Sequence, residues 1–157
     1  MKFIKYNANP KDWKDGDCVV RAVATATQQD WLTTFDDLCE IARKKCRMPN
    51  SNETYAAYLK EKGFERMKQE KDEFGRWLNI SELVDRYPNS ILVIHCRHHL
   101  TVAIEGVLID TWHTGNERAG RFYKKDISEL EEGDIIRYLQ FAEENKMEVK
   151  PRRVRLW

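Results

Sequence analysis

The chain has 157 residues, 41% of them apolar and five of them tryptophan, which suits one domain with a buried core and argues against a disordered chain. Lysine and arginine number 27 against 26 acidic residues, so net charge gives no case for nucleic acid. The apolar runs at 91–94 and 102–104 fall far short of the roughly 20 residues of a membrane span.

The start, Met1-Lys2-Phe3-Ile4-Lys5-Tyr6, lacks the apolar stretch of a secretory signal, and four cysteines without one do not read as a disulfide framework. A reducing cytoplasm is the expected location, where a cysteine is a small buried hydrophobe or a reactive thiolate. No repeat or linker divides residues 1–157, so a single domain is expected. Gly16 and Asp17 are loop and N-cap types, and Val19, Val20, Val23 and Ala24 follow at helical spacing, which sets Cys18 in the first turn of a helix. Trp31, Phe35, Leu38, Ile41 and Ala42 make a second helical stripe. Tyr55, Tyr58 and Leu59 make a third, opened by the start signal at 49–53 and stopped by Gly63. A shorter helix covers 81–86 and ends before Tyr87-Pro88.

From Ser90 the period changes. Residues 90–96 suit a buried strand, and 99–105 and 107–111 flank Glu105-Gly106 as a hairpin. Residues 121–124 and 134–141 bring the expectation to about five antiparallel strands. Helices first and sheet second is the order of an α+β domain. The tail from about residue 146, with Lys146, Lys150, Arg152, Arg153 and Arg155, reads as a solvated basic segment rather than a nucleic-acid contact.

A cysteine at a helix start sits at the positive end of the helix dipole, beside unpaired N–H groups that favour a thiolate and can hold an oxyanion. If Glu105-Gly106 is a two-residue turn, His99 faces Trp112 and Asp110 faces Thr101. His99 and Asp110 then lie diagonally on one face, about 7–8 Å apart at the backbone, within reach of each other's side chains. A loop one residue longer or shorter would separate them, and His98 would become the better base. Cysteine, histidine and aspartate brought together by the fold are a nucleophile, its base and the group that orients the base.

Gly16-Asp17-Cys18-Val19-Val20-Arg21-Ala22, then His99-Leu100-Thr101-Val102, then Asp110-Thr111-Trp112 resemble the papain-like cysteine peptidase superfamily. The likeness extends to small papain-like proteins of bacteriophages and Gram-positive bacteria, and covers about residues 1–125. It implies an N-terminal helical lobe with the nucleophile at a helix start, packed on a C-terminal antiparallel sheet. It also implies thiol-based acyl transfer by Cys18, His99 and Asp110 on a protein or peptide, without a cofactor. Such peptidases often carry a glutamine a few residues before the cysteine; here Asp12 stands six residues before Cys18. An ionised aspartate cannot donate a hydrogen bond, so either the oxyanion hole uses backbone N–H groups helped by Asn9, Trp13 or His98, or it is absent; Asp17 and Trp112 join these as candidate substrate contacts.

Two rival readings remain. His95, Cys96, His98 and His99 invite a zinc site completed by Cys39, Cys46 or His113, but His95 and Cys96 on a strand point to opposite faces and no Cys-x-x-Cys pair exists. No metal is expected. Alternatively the chain keeps the hydrolase fold without catalysis and binds a partner protein, such as a host protein of a phage.

Overall fold

The structure, a computed structural model, describes residues 1–14 and 16–146. Among these the chain is α+β, with five helices and a six-stranded mixed sheet. In chain order the elements are β1 (Lys2–Lys5), α1 (Cys18–Thr27), α2 (Trp31–Lys45), α3 (Asn52–Glu61), β2 (Glu65–Met67), α4 (Ile80–Arg86), β3 (Ser90–Cys96), β4 (His99–Ile104), β5 (Val107–Asp110), β6 (Phe122–Asp126) and α5 (Glu132–Lys146). The sheet order is β1-β5-β4-β3-β6-β2.

Local chemistry explains the helix limits. Asp30 opens α2 by accepting from Thr33 N–H at 3.0 Å, and Ser51 opens α3 through Thr54 N–H. Asn79 and Glu82 exchange side-chain bonds with each other's N–H at 2.8 and 3.1 Å, a capping box that starts α4. Arg43, Lys44 and Lys45 crowd the last turn of α2, where cations complement the helix dipole.

Strands β3 and β4 are buried on both faces. Ile91, Val93, Leu100 and Val102 meet α1, α2 and α3, whereas Leu92, Ile94 and Ala103 meet Ile80, Leu83 and Val84 of α4. This two-sided burial is why the sequence there runs apolar without alternating. Helix α1 lies between the sheet and the other helices, with Val19, Val20 and Val23 buried, each contributing about 1.5–3 kcal/mol of hydrophobic stabilisation.

The β4–β5 hairpin decides the register near the site. Glu105 and Gly106 take φ of +51° and +74°, the paired left-handed conformation of the type I′ turn that suits twisted strands. Val102 accordingly pairs with Ile109 and Ile104 with Val107. Glu105 also accepts from the Tyr138 hydroxyl at 2.5 Å, which ties α5 to the turn.

Three expectations are corrected. Residues 134–141, expected as a strand, belong to α5; Tyr138 and Phe141, three apart, reach Glu105 and Tyr6, a helical spacing. Two short strands, β1 and β2, bring the sheet to six. The sheet is mixed rather than antiparallel, because β1 runs parallel to β5. Most of the basic tail lies outside the described residues. Among the described residues no helix is long and apolar enough to cross a membrane.

Candidate active site

Cys18 is the first residue of α1, and the helix brings it to the start of β4. There its thiol meets the His99 side chain and the backbone N–H of Leu100. On its other side His99 presents Nε2 to Asp110 Oδ2 at 2.7 Å. Nε2 is thereby committed to the carboxylate, and Nδ1 is the nitrogen left to serve Cys18. Asp110 is buried and fixed in turn, its Oδ1 accepting from Thr111 N–H at 2.6 Å.

Electrostatics follow from these contacts. Burial alone pushes the Cys18 thiol up, but the hydrogen bonds from His99 and Leu100 N–H, with the charges of His99 and Arg21, bring it below its ordinary value. Burial likewise pulls His99 down, yet the bonds to Asp110 and Cys18, and their charges, raise it to about 9. A lowered thiol beside a raised imidazole favours the thiolate–imidazolium pair at neutral pH. Cys96 behaves oppositely: burial, then the charges of Asp110, Glu117 and Cys18, push its thiol up to about 12, which makes it inert.

Asp17, of N-cap type, does not cap α1. Its carboxylate turns instead to Asn9 Nδ2 and Trp31 Nε1, each at 3.0 Å, and to Arg21 Nη1 at 3.4 Å. The first-turn N–H groups of α1 beside Cys18 therefore carry no side-chain cap, as an oxyanion site requires. The Asp17 and Arg21 side chains keep only 10% and 11% of their surface exposed, so this is a buried ion pair directly behind the Cys18 thiol. Arg21 borders a cavity of about 10 Å³ together with Cys18, Thr25, Leu100 and Asp110, the room of one water.

The other expected site residues fall in different places. Trp112 lies beside His99, ring centroids 5.4 Å apart and tilted by 42°, with 46% of its surface still exposed, so it walls one side of the imidazole. The Asn9 amide is engaged by Asp17 rather than offered to the thiol. Trp13 is half-exposed in the loop before α1, its carbonyl accepting from Asn7 Nδ2 at 3.0 Å. His98 sits exposed in the β3–β4 turn at φ +58°, next to His99 in sequence, while His99 is the histidine that meets Asp110. His113 turns toward Phe3 and accepts from Gly115 N–H, outside the triad. Among the described residues no three of His, Cys, Asp and Glu converge on a metal-sized site; Cys96 and His95 face opposite sides, Cys96 into the layer against α4.

Sequence reading passed over Arg21 and the Leu100 N–H. Arg21 had a usable signal, three residues after Cys18 on one helical face. The Leu100 amide had none, because any residue type supplies it. Compared with protein-family models, curated proteins and solved structures, the chain matches none of them.

Proposed function

We propose that the protein is a thiol-dependent hydrolase or acyl transferase of papain-like architecture, acting on amide or isopeptide bonds through Cys18, His99 and Asp110. The observation that carries this reading is the placement of His99 between a carboxylate 2.7 Å from Nε2 and the thiol of Cys18. Nucleophile, base and orienting group are then in the order that acyl transfer needs.

In the proposed reaction His99 takes the Cys18 proton and the sulfur adds to the carbonyl carbon. The uncapped N–H groups of the first turn of α1 stabilise the oxyanion, the work that Asp12 cannot do. The C–N bond then breaks, His99 gives its proton to the leaving amine, and a thioester remains on Cys18. Water or an amine, deprotonated by His99, attacks the thioester and frees the thiol. Asp110 holds the ring and stabilises its cation throughout.

The test is the pH dependence of Cys18 alkylation by iodoacetamide, read by mass spectrometry in wild type and in His99→Ala. Cys18 is expected to ionise below the reference value of about 8.5 and to return toward it in the variant. An inert Cys18 that ignores the substitution would refute the reading and leave a silent binding protein with the same fold.

A further inference from the structure

The face of the sheet that carries Leu100 carries a row of cations leading away from the nucleophile. Leu100, whose N–H meets the Cys18 sulfur, pairs directly with His95 on β3. The β3–β6 register, which pairs Ile94 with Phe122, continues to set Arg121 opposite His95, and His95 N–H donates to the Arg121 carbonyl at 3.1 Å. The β2–β6 register pairs Arg66 with Tyr123 and Met67 with Phe122, and Lys68 and Arg121 are the residues that follow and precede that last pair. Directly paired residues share a face, and so do residues two apart on a strand. Leu100, His95, Arg121, Lys68 and Arg66 therefore line one side of the sheet. Tyr123 and Tyr55, rings 6.0 Å apart, show that this is the side covered by α3.

The guanidinium of Arg121 lies beside the hydroxyls of Tyr55 and Tyr123, and the Tyr55 hydroxyl also senses the charge of Cys18. Among the described residues no carboxylate is within ion-pair distance of Arg121, Lys68 or Arg66, whereas Arg76, Arg86, Lys124 and Lys125 each have one. Arg121 is half-buried, so its planar set of donors has lost part of its water without gaining an anion. With strands about 4.8 Å apart, Arg121 lies about 10 Å from Leu100, the reach of two or three residues of extended peptide.

We infer that this row is a carboxylate subsite, and that the substrate is a peptide bearing an acidic side chain or a free C-terminus two or three residues from the bond Cys18 attacks. The inference rests on the thiol chemistry proposed above. Arg121 makes the paired contact to the carboxylate, while the Tyr55 hydroxyl, donating to Asn52 Oδ1 at 3.0 Å, is held as an acceptor beside the guanidinium, and Lys68 and Arg66 draw the acidic chain in.

The probes are chloroacetyl-Gly-Glu-amide, its Gln counterpart, and chloroacetyl-Gly-Gly as free acid and as amide. In each, the Cys18 sulfur displaces chloride as the new S–C bond forms, and the thiol proton passes to His99. Alkylation of Cys18 is followed by mass spectrometry, and each rate is divided by the iodoacetamide rate of the same protein. At low salt an acidic probe should react about tenfold faster than its neutral partner, the effect of one charged hydrogen bond. Arg121→Gln should erase the preference, Lys68→Gln, on the exposed end of the row, should reduce it, and raised salt should weaken it. The Glu-amide and free-acid arms tell a side chain from a C-terminus. Equal rates for acid and amide in the wild type, or a preference kept in Arg121→Gln, would overturn the inference. A single-stranded oligonucleotide that shields Cys18 from iodoacetamide, with no acidic preference among the peptides, would assign the row to phosphate and overturn it too. A Cys18 inert to iodoacetamide itself would instead sink the thiol chemistry, and this subsite with it.

Discussion

Replacing Asp110 by asparagine tests the orienting contact, because the two carboxylate oxygens meet demands that one amide cannot. Oδ1 accepts from Thr111 N–H at 2.6 Å, and Oδ2 faces His99 Nε2 at 2.7 Å. An amide that keeps its oxygen on Thr111 turns its NH₂ toward His99. Nε2 must then become an acceptor, and the ring proton moves to Nδ1, the atom that has to take the Cys18 proton. Turned the other way, the amide sets its NH₂ against Thr111 N–H. Asp110 is only 8% exposed, so water has little access to relieve either conflict.

Hydrogen bonds to charged groups contribute about 1.5–3 kcal/mol, and 1.36 kcal/mol corresponds to about one pKa unit. His99 should therefore fall by about one to two units from its value of about 9. The equilibrium constant of the thiolate–imidazolium pair over the neutral thiol–imidazole pair should drop roughly tenfold to hundredfold. The assay is a pH titration of the His99 ring by NMR, paired with iodoacetamide alkylation of Cys18 across the same range. A His99 titration and a Cys18 profile that both match wild type would refute the assignment of Asp110 as orienting group.

Three further predictions concern the scaffold. One residue inserted between Glu105 and Gly106 moves Asp110 to the opposite face from His99; Cys18 should lose its low-pH reactivity while circular dichroism stays native-like, and retained reactivity would contradict the register argument. Asp17→Ala leaves the buried Arg21 cation without its partner and should cost about 3–5 kcal/mol in urea unfolding; a cost below about 1 kcal/mol, the range of an exposed pair, would show that the pair is in water after all. His99 holds its proton more tightly folded than unfolded, so its stabilisation is complete below the ordinary imidazole value of 6.5 and is lost as pH rises through about 9. Cys18 gives up its proton over the same window and masks this loss, so it is read in a Cys18→Ala background, where it should be about 1 kcal/mol relative to Cys18→Ala with His99→Gln, allowing for solvent screening; parallel stability curves would contradict an imidazole raised by Asp110.

Much of the site was legible because its parts are set by local rules. Gly16-Asp17 ahead of an apolar helical stripe marked Cys18 as the start of α1, where the structure puts it. The Glu105-Gly106 pair implied a two-residue turn, and such a turn fixes the parity of everything paired beyond it. His99 and Asp110 could therefore be set on one face without knowing what either packs against. Ser51, within the start signal at 49–53, announced α3 in the same way, through a side chain that bonds three residues on, whereas the capping box of Asn79 and Glu82 that opens α4 went unread.

What the chain alone left open depends on partners distant in sequence. Residues 134–141 alternate loosely enough to read as a strand, and contacts of Tyr138 with Glu105 and of Phe141 with Tyr6 accompany their helical form. Strands β1 and β2 are four and three residues long, too short for a period to emerge; they exist as strands through the edges of β5 and β6 that they pair with. Asp17 looked like a cap, but Trp31, Asn9 and Arg21 together outbid the local N–H groups for its carboxylate. The row from His95 on β3 through Arg121, just before β6, to Lys68, just after β2, follows the sheet order and not the chain order. Sequence by itself thus determined the placement of Cys18 at a helix start and the His99–Asp110 register, both products of short-range backbone geometry. Tertiary structure decided which charges stand behind the thiol and which stand along the same face of the sheet, since those placements depend on sheet order and on the burial it imposes.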